Sequence, residues 1–179
     1  MPPQGGPTWG SGGSPRLAST ANETAKRAID LLLARGQTVG TAESLTGGLV
    51  AAALTTVPGA SAVFRGGIVA YAADLKRSLL GVPPDLLQRV GTVHRDVALA
   101  MASGAMDRLA SDVGLGTTGV AGPDPVGGQP VGTVHIAVAT ATGAEHVPLW
   151  IAGTRDAIRQ ATVDRVLELL LRTLMEANA

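Results

Sequence analysis

The chain has 179 residues, 45% of them apolar, which is enough for one domain with a real core and too few for a second domain of ordinary size. Fourteen basic and fourteen acidic residues cancel, so no net field recruits nucleic acid or an anionic membrane surface, and neither is expected as a partner. With no cysteine there are no disulfides, thiolate nucleophiles or thiolate metal sites, which fits a reducing, cytoplasmic setting.

Residues 1–19 (MPPQGGPTWGSGGSPRLAS) are rich in Pro, Gly and Ser and lack an apolar run, so they read as a flexible leader and not a secretory signal. Residues 20–179 read as one domain. TANETAKRAIDLLLARG predicts a helix, with Thr20 and Glu23 in capping-box spacing, Ala25, Ala28, Ile29, Leu32 and Leu33 on one face, and Gly36 as terminator. QTVGTAES predicts a strand ending near Ala42, and GGLVAAALTTV a helix that stops before Pro58. GGIVAY reads as a buried strand, ADLKRSLLG and PPDLLQRVG as short helices, and RDVALAMASGAMDRLASD as a longer one with a stripe of Val97, Ala100, Met101, Ala105 and Leu109. VGLGTTGV is a glycine-diluted strand, AGPDPVGGQP a loop, and VGTVHIAVAT with EHVPLWIA a strand pair, expected as a hairpin. A final helix from about Thr154 carries Ile158, Val163, Val166, Leu167, Leu170, Leu171 and Leu174 on a broad apolar face. Strands that are apolar throughout, alternating with helices, predict an α/β fold: a three-layer α/β/α sandwich around a mixed, mostly buried sheet. Ligands in such folds gather at the carboxyl ends of strands, here Glu43–Gly48, the end of GGIVAY and the loop after Val120.

Ser44 and Thr46 precede a helix, whose N-terminus offers unpaired N–H groups. One hydroxyl can be the N-cap, with Gly47 and Gly48 allowing close packing, or Ser44 can be a nucleophile beside an oxyanion site made by those N–H groups. A serine nucleophile needs a base. No histidine lies in the glycine-rich junctions, but Lys76, if desolvated, could accept the proton, and Tyr71 could relay it; each has an ordinary alternative as a solvated lysine and a strand-end aromatic. Arg155 and Arg159, one turn apart at the start of the last helix, could hold a carboxylate or phosphate between them or pair with Asp156 or Asp164. The stretch Thr118–Thr133 is either a plain connection or a backbone cradle for a sugar or phosphate, and it matches neither common nucleotide-binding glycine motif. His94, His135 and His146 are scattered, without a second ligand at i+3 or i+4, so no metal is expected.

Taken together, TAESLTGG, FRGGIVAYAADLKRSLLGV, GVAGPDPVGGQPVGTV and GTRDAIR make the chain from about Ala21 to Leu174 resemble the CinA C-terminal domain family. The resemblance implies an amidohydrolase that converts nicotinamide mononucleotide to nicotinic acid mononucleotide and ammonia in pyridine-nucleotide recycling, without a cofactor. It places the family's Ser, Tyr and Lys set on Ser44, Tyr71 and Lys76. Thr46 and Gly47 are then expected near the oxyanion, and Glu43 is expected to orient Ser44 or Lys76 by a hydrogen bond. Gly48, Arg155, Arg159 and the loop bearing Gly119, Ala121, Gly122, Gly127 and Gly128 would contact the nucleotide. The alternative is a catalytically silent pyridine-nucleotide-binding or assembly module. A homodimer or other homo-oligomer is expected from the apolar helix faces. Where the family often carries Ser, this chain has His94, a poorer helix cap. Many relatives also carry a preceding domain similar to molybdopterin-binding proteins, for which the leader is too short.

Overall fold

The computed structural model describes residues 19–176; the expected leader lies outside that range apart from Ser19, which opens the first helix. In chain order the elements are α1 (Ser19–Arg35), β1 (Val39–Glu43), α2 (Leu49–Thr55), β2 (Phe64–Val69), α3 (Ala73–Leu80), α4 (Pro84–Val90), α5 (Arg95–Leu109), β3 (Val113–Gly119), β4 (Thr133–Thr140), β5 (Gly143–Trp150) and α6 (Arg155–Glu176). Thr20 falls inside α1 and not at a cap position, and its side chain lies outside the described residues.

The five strands form one mixed sheet in the order β2-β1-β3-β4-β5. β1 is parallel to both β2 and β3, and β3, β4 and β5 run antiparallel in succession, so the expected hairpin is present. One face packs on α1, α2 and α6, where Ile29, Leu32, Leu54, Leu167 and Leu170 meet Val113, Leu115, Ile136 and Val138. Full burial of each such side chain contributes roughly 1.5–3 kcal/mol. The other face packs on α3 and α5 through Leu80, Val97, Met101 and Ala105, and through Ala98 and Ala102 against Ala137 and Ala139. This is the expected three-layer sandwich.

The seam between α5 and β3 is thin for a sequence reason. A Cβ at Gly114 would collide with the Ala102 carbonyl and one at Gly116 with the Ala98 carbonyl, so backbone lies directly on backbone. Gly104 meets Leu80 in the same way, which seats α3 against α5. Two expectations are corrected. GGIVAY was expected to be buried, but β2 is an edge strand whose exposure alternates along its length, because only β1 flanks it. Leu33 is 42% exposed, since the 3.6-residue period turns it past the contact with α6. β1, the second strand of the sheet, is buried at every position, and at its carboxyl end the fold buries Glu43 and, across from it, Lys76. A hydrophobic core does not ask for either charge.

Candidate active site

The carboxyl ends of parallel β1 and β3 lie side by side, and the chain leaving β1 turns at Ser44, whose N–H donates to the Thr117 carbonyl at 3.0 Å. Lys76 enters from α3. It is only 1% exposed, and its Nζ donates to Ser44 Oγ at 3.0 Å, the Ala70 carbonyl at 2.7 Å and the Tyr71 carbonyl at 3.3 Å. Burial lowers its pKa from 10.5 to about 8. The three neighbours dictate what a neutral Lys76 must do. Carbonyl oxygens only accept, so they take its two N–H bonds and leave the nitrogen lone pair for the Ser44 hydroxyl. A neutral Lys76 so placed can accept the proton of that serine.

Glu43 is fully buried, and its hydrogen bonds go to helix α2 instead of Ser44 or Lys76. Its carboxylate accepts from the N–H groups of Gly48 (2.9 Å), Val50 (3.1 Å) and Ala51 (2.8 Å) and from Thr41 Oγ1 (3.3 Å). The helix N-terminus is thus occupied by an internal anion, and neither Ser44 nor Thr46 acts as its N-cap. Gly48 holds the cap position at φ 97°, and the Gly47 N–H donates to the Ser44 carbonyl at 3.1 Å. The Leu45 and Thr46 N–H groups are the amides beside Ser44 with no acceptor among the described residues. Thr46 Oγ1 is buried against Thr117 Oγ1 at 2.8 Å.

Arg159 does not join Arg155 around a shared anion. Its Nε donates to the Leu45 carbonyl at 2.9 Å and its Nη2 to the Thr46 carbonyl at 3.1 Å, so it clamps the serine turn from outside; Asp156 stands at 3.7 Å. Arg155 faces the cleft, donating through Nη2 to Tyr71 Oη at 2.9 Å and through Nη1 to the Gly122 carbonyl at 2.6 Å. Tyr71 is 60% exposed, and its hydroxyl meets Arg155, so only its backbone carbonyl touches Lys76.

These groups enclose a cleft of about 180 Å³ whose lining carries Ser44, Tyr71, Lys76 and Arg155 together with Gly119, Ala121 and Gly122, and Gly122 is joined to Pro123 by a cis peptide. Gly127 and Gly128 stay outside it. They form a two-residue turn at φ 57° and 79°, between Val126 and Gln129, which exchange both backbone hydrogen bonds. Beyond the residues singled out from the sequence, the lining holds apolar Leu45, Val93, Val120 and Val126 and three polar residues: Thr92 and, within the stretch already marked as a possible cradle, Asp124 and Thr118, whose Oγ1 donates to the Thr92 carbonyl at 2.7 Å. Asp124 sits within the quoted glycine loop and was the available signal; Thr92 precedes α5, with no local pattern to mark it. A larger groove of about 620 Å³ runs between β5 and α6, lined by apolar side chains with Arg165, Glu168 and Arg172 and by no hydroxyl or lysine.

The histidines depart most from expectation, because β4, β5 and the start of α5 bring all three together. His135 Nδ1 and His146 Nε2 are 2.8 Å apart, and His94 caps α5 by accepting the Asp96 N–H at 3.2 Å. Burial, then the charges of His146 and His94, push His135 down to about 4. Among the described residues no helix is long and apolar enough to cross a membrane.

Comparison with known proteins places this geometry in context. The model of the CinA C-terminal domain matches residues 21–174. A CinA-like protein of Frankia casuarinae is 49% identical over 146 residues, 82% of this chain and 34% of the relative, and one of Prochlorococcus marinus is 46% identical over 155 residues, 84% and 36%. The chain therefore spans about a third of the length of these curated relatives. Among solved structures, the competence/damage inducible protein CihA from Agrobacterium tumefaciens superposes with a TM-score of 0.85 at 40% identity, covering 89% of this chain and 98% of that one. A competence-damaged protein (CinA) superfamily protein from Escherichia coli gives 0.84 at 30%, covering 88% and 94%.

Proposed function

The chain belongs to the CinA C-terminal domain family, and from that premise we propose that it is an amidohydrolase acting on nicotinamide mononucleotide, with Ser44 as nucleophile and Lys76 as its base. The observation that carries this reading is the buried Lys76 Nζ, 3.0 Å from Ser44 Oγ and held by two carbonyls. The Ser44 proton passes to Lys76 as Oγ attacks the amide carbon, and the oxyanion takes hydrogen bonds from the Leu45 and Thr46 amides. Lys76 then returns the proton to the departing nitrogen, which leaves as ammonia. Water, deprotonated by Lys76, opens the acyl-enzyme, and Lys76 gives that proton to the departing Ser44 Oγ, yielding nicotinic acid mononucleotide and the resting serine.

Because Glu43 fills the α2 N-terminus, the substrate phosphate is assigned to Arg155, the exposed cation of the cleft lining, steadied by Tyr71 and the Gly122 carbonyl. A volume of about 180 Å³ is below the roughly 300 Å³ at which pockets for drug-sized ligands begin, so the cleft takes the reacting ring and the ribose phosphate lies at its mouth. The test is formation of ammonia and nicotinic acid mononucleotide by purified protein without added metal, beside Ser44→Ala and Lys76→Ala. An inactive parent that still binds the nucleotide in calorimetry makes the domain a binding module. Full activity in Ser44→Ala rules out the mechanism.

A further inference from the structure

We propose that His135 and His146 form a binding site for a divalent first-row transition ion, separate from the Ser44 cleft, in which the two imidazoles are adjacent ligands and water completes the coordination sphere. The two residues are diagonal neighbours across the β4–β5 ladder: His135 pairs with Pro148, and His146 with Ala137. That diagonal puts Nδ1 of one ring and Nε2 of the other 2.8 Å apart. Two nitrogens each about 2.0 Å from one metal, at a right angle, are also about 2.8 Å apart. The rings are stacked, 29° from parallel, and half-buried, so modest rotations about their side-chain torsions aim both nitrogens at one point while solvent still reaches it.

Metal entry needs no proton loss. In the neutral pair one ring donates to the other, and a tautomer shift in the donor leaves a lone pair on each facing nitrogen with its proton on the distant one. The surrounding charges are mixed. Asp96 favours a cation near His146 and Arg95 opposes it, but Arg95 lies 3.4 Å from Asp96. His94 is the third ring nearby, 6.3 Å from His135 by centroid, and its Nδ1 is engaged with the Asp96 N–H. No group of three ligands is assembled among the described residues, which limits the site to two protein donors. Imidazole donors favour Cu2+ above the other ions of the series.

The experiment is titration of the full chain with Cu2+, followed by electron paramagnetic resonance and by thermal melting. One ion should bind per chain with nitrogen hyperfine structure from two imidazoles, and Tm should rise with free Cu2+, because the ion ties edge strand β5 to β4. His146→Gln and His135→Gln should each weaken binding at least about tenfold and lose one nitrogen from the spectrum, while His94→Ser stays within about twofold of the parent. Circular dichroism of each variant before metal addition confirms that the fold is kept. Parental spectra and affinity in the His135 and His146 variants, or loss confined to His94→Ser, would overturn the site.

Discussion

The rate of amide hydrolysis should report the titration of Lys76. With a pKa of about 8, the fraction of Lys76 able to accept the Ser44 proton is about 0.09 at pH 7, 0.5 at pH 8 and 0.9 at pH 9. The rate constant kcat/KM should thus rise about tenfold between pH 7 and 9 and level off above that. An unshifted lysine at 10.5 would give about a hundredfold rise over the same two units, with no plateau. Stability provides a second reading of the same group. The folded value lies below the unfolded one, so between about pH 8 and 10.5 the unfolded chain binds more protons, and the contribution to stability rises with pH through that window. Below it the charged, buried amine costs about 3 kcal/mol, an order-of-magnitude figure from the size of the shift. The assay is ammonia release from nicotinamide mononucleotide at constant ionic strength, paired with denaturant melts at the same pH values. A rate flat from pH 6.5 to 9 refutes Lys76 as the base, and one still climbing tenfold per unit at pH 9.5 refutes the lowering of its pKa.

Ser44→Ala should remove turnover by at least about 10³-fold while changing stability by less than about 1 kcal/mol, checked by single-turnover kinetics and urea melts. Glu43→Gln should destabilise by about 2–4 kcal/mol in the same melts, because its amide group cannot accept from the N–H donors that one carboxylate oxygen now receives. Tyr71→Phe should lower kcat less than tenfold, since only the backbone carbonyl of this residue touches Lys76; a loss of 10² or more would mean that the hydroxyl moves a proton. Arg155→Lys should raise KM for the nucleotide several-fold with a small effect on kcat, and equal losses in both would place Arg155 at the reacting atoms instead.

The features legible in the sequence were those with local causes. Periodicity marked α1, α5 and α6, and the strand-to-helix turn at Ser44 announced itself through its hydroxyls and glycines. Lys76 was found as a candidate base by elimination, because the histidines were out of place. What escaped depended on distances between elements. The three hydrogen bonds that take Glu43 to the start of α2 connect residues five to eight apart through a turn, so its letter looked like a site carboxylate. Arg159 reaches Leu45 across 114 residues, and nothing local distinguishes it from Arg155. The histidines meet only because β4 and β5 pair in one particular register, which a one-residue slip would abolish. β2 was misjudged because burial depends on having neighbours on both sides, and strand order is not written in a single strand.

The glycine seam between α5 and β3 sets the direction in which this domain can diverge. Where backbone rests on backbone there is no smaller residue to retreat to, so positions 104, 114 and 116 permit neither growth nor compensation. The opposite layer, filled with Leu, Ile and Val, can trade volume between neighbours. Anyone reshaping the cleft would therefore leave the α5–β3 seam untouched and vary the loop through Asp124 and Val126, whose side chains line the cleft away from that seam.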